Sequence, residues 1–154
     1  MAVDILSKRV AEVADIPLKN PDGSPMVDDE TGEAVSATMF SPGSKVWEVA
    51  TAARKRKAIR RTRQNGGNYE AALDNETEDT IEFLCAIIKR FNNLSITSDD
   101  TSDDTSDKGI VRSVLSEPLL GFVRDHLNEA AGNWENFTQA SQPAQPFTSG
   151  KSPG

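Results

Sequence analysis

The strongest constraint on the fold is an apolar stripe in residues 76–91 (ETEDTIEFLCAIIKRF). Large apolar side chains recur there at three- and four-residue steps, at Ile81, Leu84, Cys85, Ile88 and Phe91, and Phe83 and Ile87 widen the stripe. This spacing predicts an amphipathic helix over residues 76–91 whose apolar face is buried. The chain has 154 residues and is 36% hydrophobic, so it can build a modest core around that helix.

Residues 11–40 carry the pattern of a β-hairpin. Apolar and polar residues alternate around residues 12–19 and 33–40, as in half-buried strands. Two reversal signals lie between them, NPDG at residues 20–23 and DETG at residues 29–32. The sequence therefore predicts a hairpin with a long decorated loop. Residues 3–10 fit a short helix or an ordered arm.

Three more helices are predicted. One covers residues 43–64, with Ser41 as its cap, Pro42 at its first position and a stop at Asn65-Gly66-Gly67. The others cover residues 110–116 and 118–131 and are separated at Pro118. The predicted fold class is α+β and mainly α-helical. It consists of an N-terminal β-hairpin followed by a small helical bundle, in one domain of residues 1–137.

Two segments are predicted to remain outside the core. Residues 97–108 contain a TSD repeat with five aspartates and no apolar residue, so burial cannot offset the entropy of ordering them. They are predicted to form an acidic linker. Residues 138–154 are rich in Gln, Ser, Pro, Gly and Thr, which predicts a disordered tail.

Charge and composition restrict the class of protein. The net charge of −7 argues against nucleic acid as the partner of the whole surface, although a local basic patch remains compatible with it. Cys85 is the only cysteine, which fits a reducing cytosol. There is no apolar run of the roughly 18 residues that a membrane span needs, and the first residues lack the pattern of a signal peptide. We expect a soluble intracellular protein.

No pattern in the sequence predicts catalysis. Cys85 lies on the apolar stripe, and His126 lies on a different predicted helix. Metal-ligand spacings, a phosphate-binding glycine loop and a nucleophile elbow are absent from the sequence. We predict no catalytic residue, no metal site and no cofactor, and therefore a protein that is not an enzyme.

The segment RKRKAIRRTR at residues 54–63 is the strongest candidate for a binding surface. Its cations are Arg54, Lys55, Arg56, Lys57, Arg60, Arg61 and Arg63. Four consecutive cations span most of a helix circumference, so they cannot form one buried face. The segment can contact phosphates of DNA or RNA, pair with acidic neighbours, or dock another subunit. Aromatic residues that would stack on bases are missing, which favours pairing with acidic groups over nucleic acid.

Three blocks of sequence occur in an informative order. The first is residues 16–61, with a PDG-P hairpin, a helix start at SPGS and a basic helix. The second is DTIEFLCAIIKRFNNL at residues 79–94, and the third is residues 111–137, with an E-P break and the string FVRDHL. In this combination the chain, over about residues 11–137, resembles the tail assembly chaperones of long-tailed, lambda-like siphovirus bacteriophages. The TSD repeat is longer and more acidic than in that family.

The resemblance implies a non-enzymatic chaperone that acts in the cytoplasm of the bacterial host. Such proteins bind the tape measure protein and keep it soluble while the tail tube polymerises around it, and they are absent from the mature virion. The resemblance also implies self-association and leaves the tail tube protein open as a second partner. The candidate contacts are the aromatic residues Trp47, Phe91, Trp134 and Phe137 and the basic residues Arg54, Arg56, Lys57, Arg60 and Arg61.

Members of this family commonly make a longer product by ribosomal frameshifting on Gly-Lys codons, which Gly150-Lys151 would supply here. Two other functions fit the sequence. One is a nucleic-acid-binding accessory protein that uses the basic helix of residues 54–63. The other is a structural minor tail or head–tail component, which would be found in purified virions.

Overall fold

The computed structural model describes residues 2–64, 76–96 and 106–138. Its strands are β1 (Val13–Pro17), β2 (Ser36–Phe40) and β3 (Ile88–Asn92). Its α-helices are α1 (Lys45–Gln64), α2 (Glu76–Ile87), α3 (Asp107–Ser116) and α4 (Gly121–Ala131), with short 3₁₀ helices at Ile5–Lys8, Pro118–Leu120 and Trp134–Phe137. The predicted α+β class is confirmed. The predicted tail from residue 139 and the TSD repeat up to residue 105 lie outside the described residues.

Strand β2 is the centre of a three-stranded antiparallel sheet with the order β1-β2-β3. Thr38 of β2 lies opposite Asp15 of β1 and opposite Arg90 of β3. Residues 36–39 are all buried, although alternation predicted a strand with one exposed face. The predicted hairpin is thus present, and a third strand covers the second edge of β2.

The predicted helix over residues 76–91 is wrong after Ile87, because residues 88–92 form β3. A bulge explains the error. Thr38 pairs with Arg90 while the next residue, Met39, pairs with Ile88, so Lys89 is an extra residue in β3. The extra residue lets Ile88 and Phe91 both pack towards the core, and their three-residue spacing therefore imitates a helical stripe.

The other face of the sheet carries a hydrogen-bonded polar network. Thr38 donates its hydroxyl to a carboxylate oxygen of Asp15. The Asn92 side-chain amide donates to Ser36 Oγ at 3.0 Å and to Thr38 Oγ1 at 2.9 Å, and Arg90 Nε donates to Asn92 Oδ1 at 3.1 Å. These bonds satisfy the buried hydroxyl groups of β2, which would otherwise destabilise the fold.

The loop of the hairpin is folded back on itself around Leu18. The backbone of Leu18 accepts a hydrogen bond from Met26 and donates one to Val35, and Val35 donates to Met26. Both predicted reversals are present, at Gly23 (φ +89°) and Gly32 (φ +73°), where glycine adopts the left-handed conformation without strain. The loop is thus an extension of the sheet.

Two helices begin at other residues than predicted. Helix α1 is capped by Ser44, whose Oγ accepts a hydrogen bond from the Trp47 N–H, and not by Ser41. Helix α3 begins at Asp107 and not at residue 110, because Ser106 Oγ accepts from the Gly109 N–H. Residues 106–108 therefore belong to a capped helix, so the predicted linker of residues 97–108 is wrong at its end.

The core lies between the inner face of the sheet and helices α2, α3 and α4. Its fully buried side chains include Met39, Leu84, Ile88, Leu115, Leu127 and Phe137. The predicted break before Pro118 is present, and Glu117 caps the following 3₁₀ turn through the Leu119 N–H. The described helices contain no segment long and apolar enough to span a membrane.

Lys108 joins α3 to the point at which α2 becomes β3. Its Nζ donates to the carbonyl oxygens of Cys85, at 2.7 Å, and of Ile88, at 2.8 Å. A cation at the carboxyl end of a helix is also favoured by the helix dipole. Partial burial lowers the pKa of Lys108. This residue fell within the predicted linker, so its structural role was missed.

We expect Lys108→Met to lower the free energy of unfolding by about 1–2 kcal/mol, because two hydrogen bonds to terminal carbonyl groups are lost. Urea denaturation followed by circular dichroism measures this change. The control is Lys89→Met, which removes an exposed lysine of β3 and should change stability by less than about 0.5 kcal/mol. Equal stabilities of the two variants would contradict the role of Lys108.

Candidate functional site: the basic helix and its two ends

Helix α1 is attached to the fold along one side, where it packs on α2. Of its 20 residues only Ala50 is buried, whereas α2 buries four of its 12 residues. Helix α1 therefore presents most of its circumference to solvent. This placement leaves part of the basic segment of residues 54–63 accessible.

An aromatic contact fixes the first half of α1. The rings of Trp47 and Phe83 meet edge to face, with centroids 5.0 Å apart. The Arg54 guanidinium lies 5.1 Å from the centre of the Phe83 ring and donates to Thr80 Oγ1 at 2.9 Å. Trp47 and Arg54, both predicted partner contacts, thus have neighbours within the chain.

Ion pairs fix the second half of α1. Arg61 donates a hydrogen bond to Asp79, and Lys57 donates to Glu82 and lies 3.9 Å from Asp79 Oδ1. The hydrogen bond from Arg61 to Asp79 raises the pKa of Arg61. The Asp79 side chain is only 11% exposed and that of Arg61 is 16% exposed, so solvent screens their pair incompletely. Pairing with acidic neighbours is therefore present for these cations.

A groove between α1 and α2 encloses about 140 Å³ and is lined by Ala50, Ala53, Lys57, Asp79 and Phe83, among others. Pockets that bind small organic ligands usually measure about 300–1,000 Å³. This groove can hold a few water molecules. The arrangement therefore fits helix packing better than a ligand site.

The remaining cations of the basic segment, which are Lys55, Arg56, Arg60 and Arg63, are exposed. Arg56, Arg60 and Arg63 are exposed and follow one another at steps of four and three residues, which places them on one flank of α1. We call these three residues the arginine stripe. Their side chains make no ion pair within the part of the chain that the structure describes. The stripe and Lys55 are thus the cations of the basic segment that are available to a partner.

The four predicted aromatic contacts lie in different surroundings. Phe137 is fully buried and is a core residue, and Phe91 and Trp47 are half-buried against the core. Trp134 is 52% exposed. A Cβ atom at Gly43 would lie 3.4 Å from the Trp134 ring and 3.9 Å from Val10, so the three residues adjoin at the beginning of α1. Among the four aromatic residues, only Trp134 presents a large exposed ring.

The N-terminal segment of residues 3–10, which we call the N-terminal arm, exposes further apolar side chains. Val3, Ile5 and Leu6 are 69%, 74% and 61% exposed, and the 3₁₀ helix at Ile5–Lys8 buries no residue. Val10, the last residue of the arm, lies near Trp134 at Gly43. These residues were not predicted as a binding surface, although three large apolar residues in so short a segment are a detectable signal.

The two candidate residues for nucleophilic or acid–base chemistry have separate structural surroundings. Cys85 is half-buried at the end of α2, and burial raises the pKa of its thiol. His126 lies on α4, and its Nε2 donates to the Pro17 carbonyl oxygen at 2.9 Å. No group of three or more metal-ligating side chains occurs within the described residues. Gly150 and Lys151, the predicted frameshift position, lie outside the described part of the chain.

The chain matches no protein-family model, no curated protein and no solved structure.

We expect Asp79→Asn to lower the free energy of unfolding by about 1–3 kcal/mol, because it leaves two cations of α1 without their shared, largely buried partner. Glu78→Gln is a matched control, since Glu78 is an exposed acid in the same turn. Chemical denaturation at 50 mM and 500 mM salt measures both variants. If the two variants are equally stable, the ion pairs do not hold α1 on α2.

Proposed function

We propose that this chain is a tail assembly chaperone of a long-tailed bacteriophage. It binds the tape measure protein in the host cytoplasm, keeps it soluble while the tail tube polymerises around it, and is left out of the mature virion. The resemblance of residues 11–137 supports this proposal. An N-terminal hairpin followed by helices agrees with the element order on which the resemblance depends.

The observation that carries the proposal is the set of exposed apolar side chains on the N-terminal arm, together with the Trp134 ring that adjoins Val10, the last residue of the arm. Three large side chains of the N-terminal arm are each more than 60% exposed, and Trp134 is half exposed beside the end of the arm. A group of exposed apolar residues on one part of a small protein is typical of an interaction surface. Such a surface suits a client whose apolar helices must be shielded from water.

A client as long as a tape measure protein offers many similar segments. Modest affinity at each segment is then sufficient, because linked sites raise the overall strength of binding without new contacts. A chaperone that self-associates presents several binding sites at once, which raises the overall strength of binding for the same reason. This explains how a chain of 154 residues can protect a much longer polypeptide.

We expect the combined substitutions Val3→Ser, Ile5→Ser, Leu6→Ser and Trp134→Ser to weaken binding of a tape measure fragment on the order of a hundredfold or more. The reason is that each apolar side chain, when buried, contributes about 1.5–3 kcal/mol. The measurement is the soluble yield of the coexpressed fragment, together with its affinity by calorimetry. The affected residues lie outside the core, so the variant should fold.

The control for this variant is Val27→Ser with Ile96→Ser, which removes exposed apolar residues elsewhere, at 46% and 42% exposure. It should protect the fragment as well as the natural chain does. Wild-type protein that leaves the fragment insoluble would refute the proposal. Detection of the protein in purified virions by mass spectrometry would instead support a structural tail component.

A nucleic-acid-binding accessory protein is the second candidate, and the exposed arginine stripe is the observation that favours it. Three arginines on one flank of a helix can contact successive phosphates and release counterions. A filter-binding assay with duplex DNA and single-stranded RNA at 50 mM salt tests this function. Loss of such binding in an Arg56→Gln, Arg60→Gln, Arg63→Gln variant would establish it, and no binding by the natural chain would exclude it.

A further inference from the structure

A cleft lies at the amino-terminal end of α1, where the chain leads into β1 and leaves β2. It encloses about 360 Å³ and is lined by Val10, Glu12, Ser41, Gly43 and Lys45, among others. Unlike the groove between α1 and α2, it falls within the range of about 300–1,000 Å³ that is usual for ligand sites. We call it the Ser41 cleft.

Ser41 combines a fixed backbone with an unpaired hydroxyl group. Its N–H donates to the Glu12 carbonyl oxygen at 2.8 Å, and its carbonyl oxygen accepts from the Ser44 N–H at 3.0 Å and from Ser44 Oγ at 2.8 Å. The residue is 1% exposed, yet its hydroxyl makes no hydrogen bond within the described residues. Among these residues, Asp79 Oδ1 is the only fully enclosed side-chain polar atom without a partner. The Ser41 hydroxyl therefore retains contact with the cleft that the residue lines.

The beginning of α1 makes the cleft favourable for an anion. Ser44 caps the helix through the Trp47 N–H. The N–H groups of Lys45 and Val46 have no acceptor within the described part of the chain. These N–H groups and the positive end of the helix dipole favour a negative charge in front of α1.

The charged residues around the cleft favour a ligand with one negative charge. Arg9 and Lys45 line the cleft together with Glu12, so these three residues contribute one positive charge. Lys45 also lies 3.5 Å from Glu48, but this pair is exposed and is therefore weak. A phosphate group would bring up to two negative charges close to Glu12, whereas a carboxylate brings only one.

Exposed apolar side chains adjoin the cleft. Val10 lines it, and a Cβ atom at Gly43 would lie 3.4 Å from the Trp134 ring. A carboxylate in the cleft therefore leaves the Trp134 ring available to an apolar residue next to it in the same ligand. A polypeptide segment with an acidic residue between large apolar residues has this chemistry.

We propose that the Ser41 cleft binds the carboxylate of an aspartate or glutamate of the client, while the Trp134 ring covers a neighbouring apolar residue of the same segment. The Ser41 hydroxyl and the N–H groups at the start of α1 donate to the carboxylate. This inference rests on the proposed function, because it names the kind of client segment that is recognised beside the N-terminal arm.

Two short peptides test this inference by nuclear magnetic resonance at 50 mM salt. One is acetyl-Ala-Leu-Glu-Leu-Ala-amide, and the other has Gln in place of Glu. The glutamate peptide should shift the backbone amide resonances of Ser41, Lys45 and Val46 and bind at least about tenfold more tightly than the glutamine peptide. Equal affinities, or no shift with either peptide, would overturn the inference. Tighter binding of sodium phosphate than of the glutamate peptide would also overturn it.

The Ser41→Ala variant distinguishes a binding role of the hydroxyl from a structural one. Because the hydroxyl has no partner within the described residues, its removal should not lower the free energy of unfolding. Binding of the glutamate peptide should weaken by about threefold to tenfold. Ser116→Ala changes an exposed serine of α3 and should alter neither quantity. Lower stability of Ser41→Ala with unchanged peptide binding would overturn the inference.

The client assay separates this inference from the proposed function. A variant with Ser41→Ala and Lys45→Gln should keep less tape measure fragment in solution than a control with Ser116→Ala and Lys19→Gln, which removes the same charge from an exposed lysine. Equal soluble yields would overturn the inference while the proposed function stands. If the natural chain leaves the fragment insoluble, the proposed function fails, and the two peptides still decide whether the cleft binds a carboxylate.

Discussion

The central position of strand β2 is the constraint on which the rest of the fold depends. Its two edges are hydrogen-bonded to β1 and β3, and four of its five residues are buried. One face supplies Ala37 and Met39 to the core. The other face buries hydroxyl groups, which require partners from both neighbouring strands. The hairpin alone therefore cannot complete β2, and the chain must return to it from α2 through β3.

That return also determines how helix α1 is used. Helix α2 must end at Ile87 so that β3 can pair with β2, and its outer side is then available to α1. Phe83 and Asp79 on this side bind Trp47, Arg54 and Arg61. Cations on that side of α1 contact α2, whereas the arginine stripe makes no ion pair among the described residues. The basic segment of residues 54–63 thus contains cations that attach α1 to α2 and cations that remain on the surface.

Sequence periodicity predicted the elements whose side chains follow one regular spacing. Helix α2, the hairpin with turns at Gly23 and Gly32, and the break before Pro118 belong to this group. Periodicity gave the wrong prediction at residues 88–92. The bulge at Lys89 spaces the apolar residues of β3 as they would be spaced on a helix. The candidate site was predicted by residue type only. A run of cations in the sequence does not show which of them face α2. The sequence around Phe137 likewise does not show that this aromatic residue is buried.

The exposed Trp134 ring and the arginine stripe lie at different positions along α1. Trp134 and Val10, the last residue of the N-terminal arm, adjoin Gly43 just before α1, whereas the arginine stripe runs from Arg56 to Arg63 in the second half of the helix. From Lys45 to Arg60 the helix measures about 22 Å. A molecule bound to the arginine stripe would therefore leave the Trp134 ring uncovered, so the two surfaces can be tested by separate variants. Although Ala50 is the only buried residue of α1, the contacts of Trp47, Arg54 and Arg61 with α2 fix the helix, and they thereby fix the distance between the two surfaces.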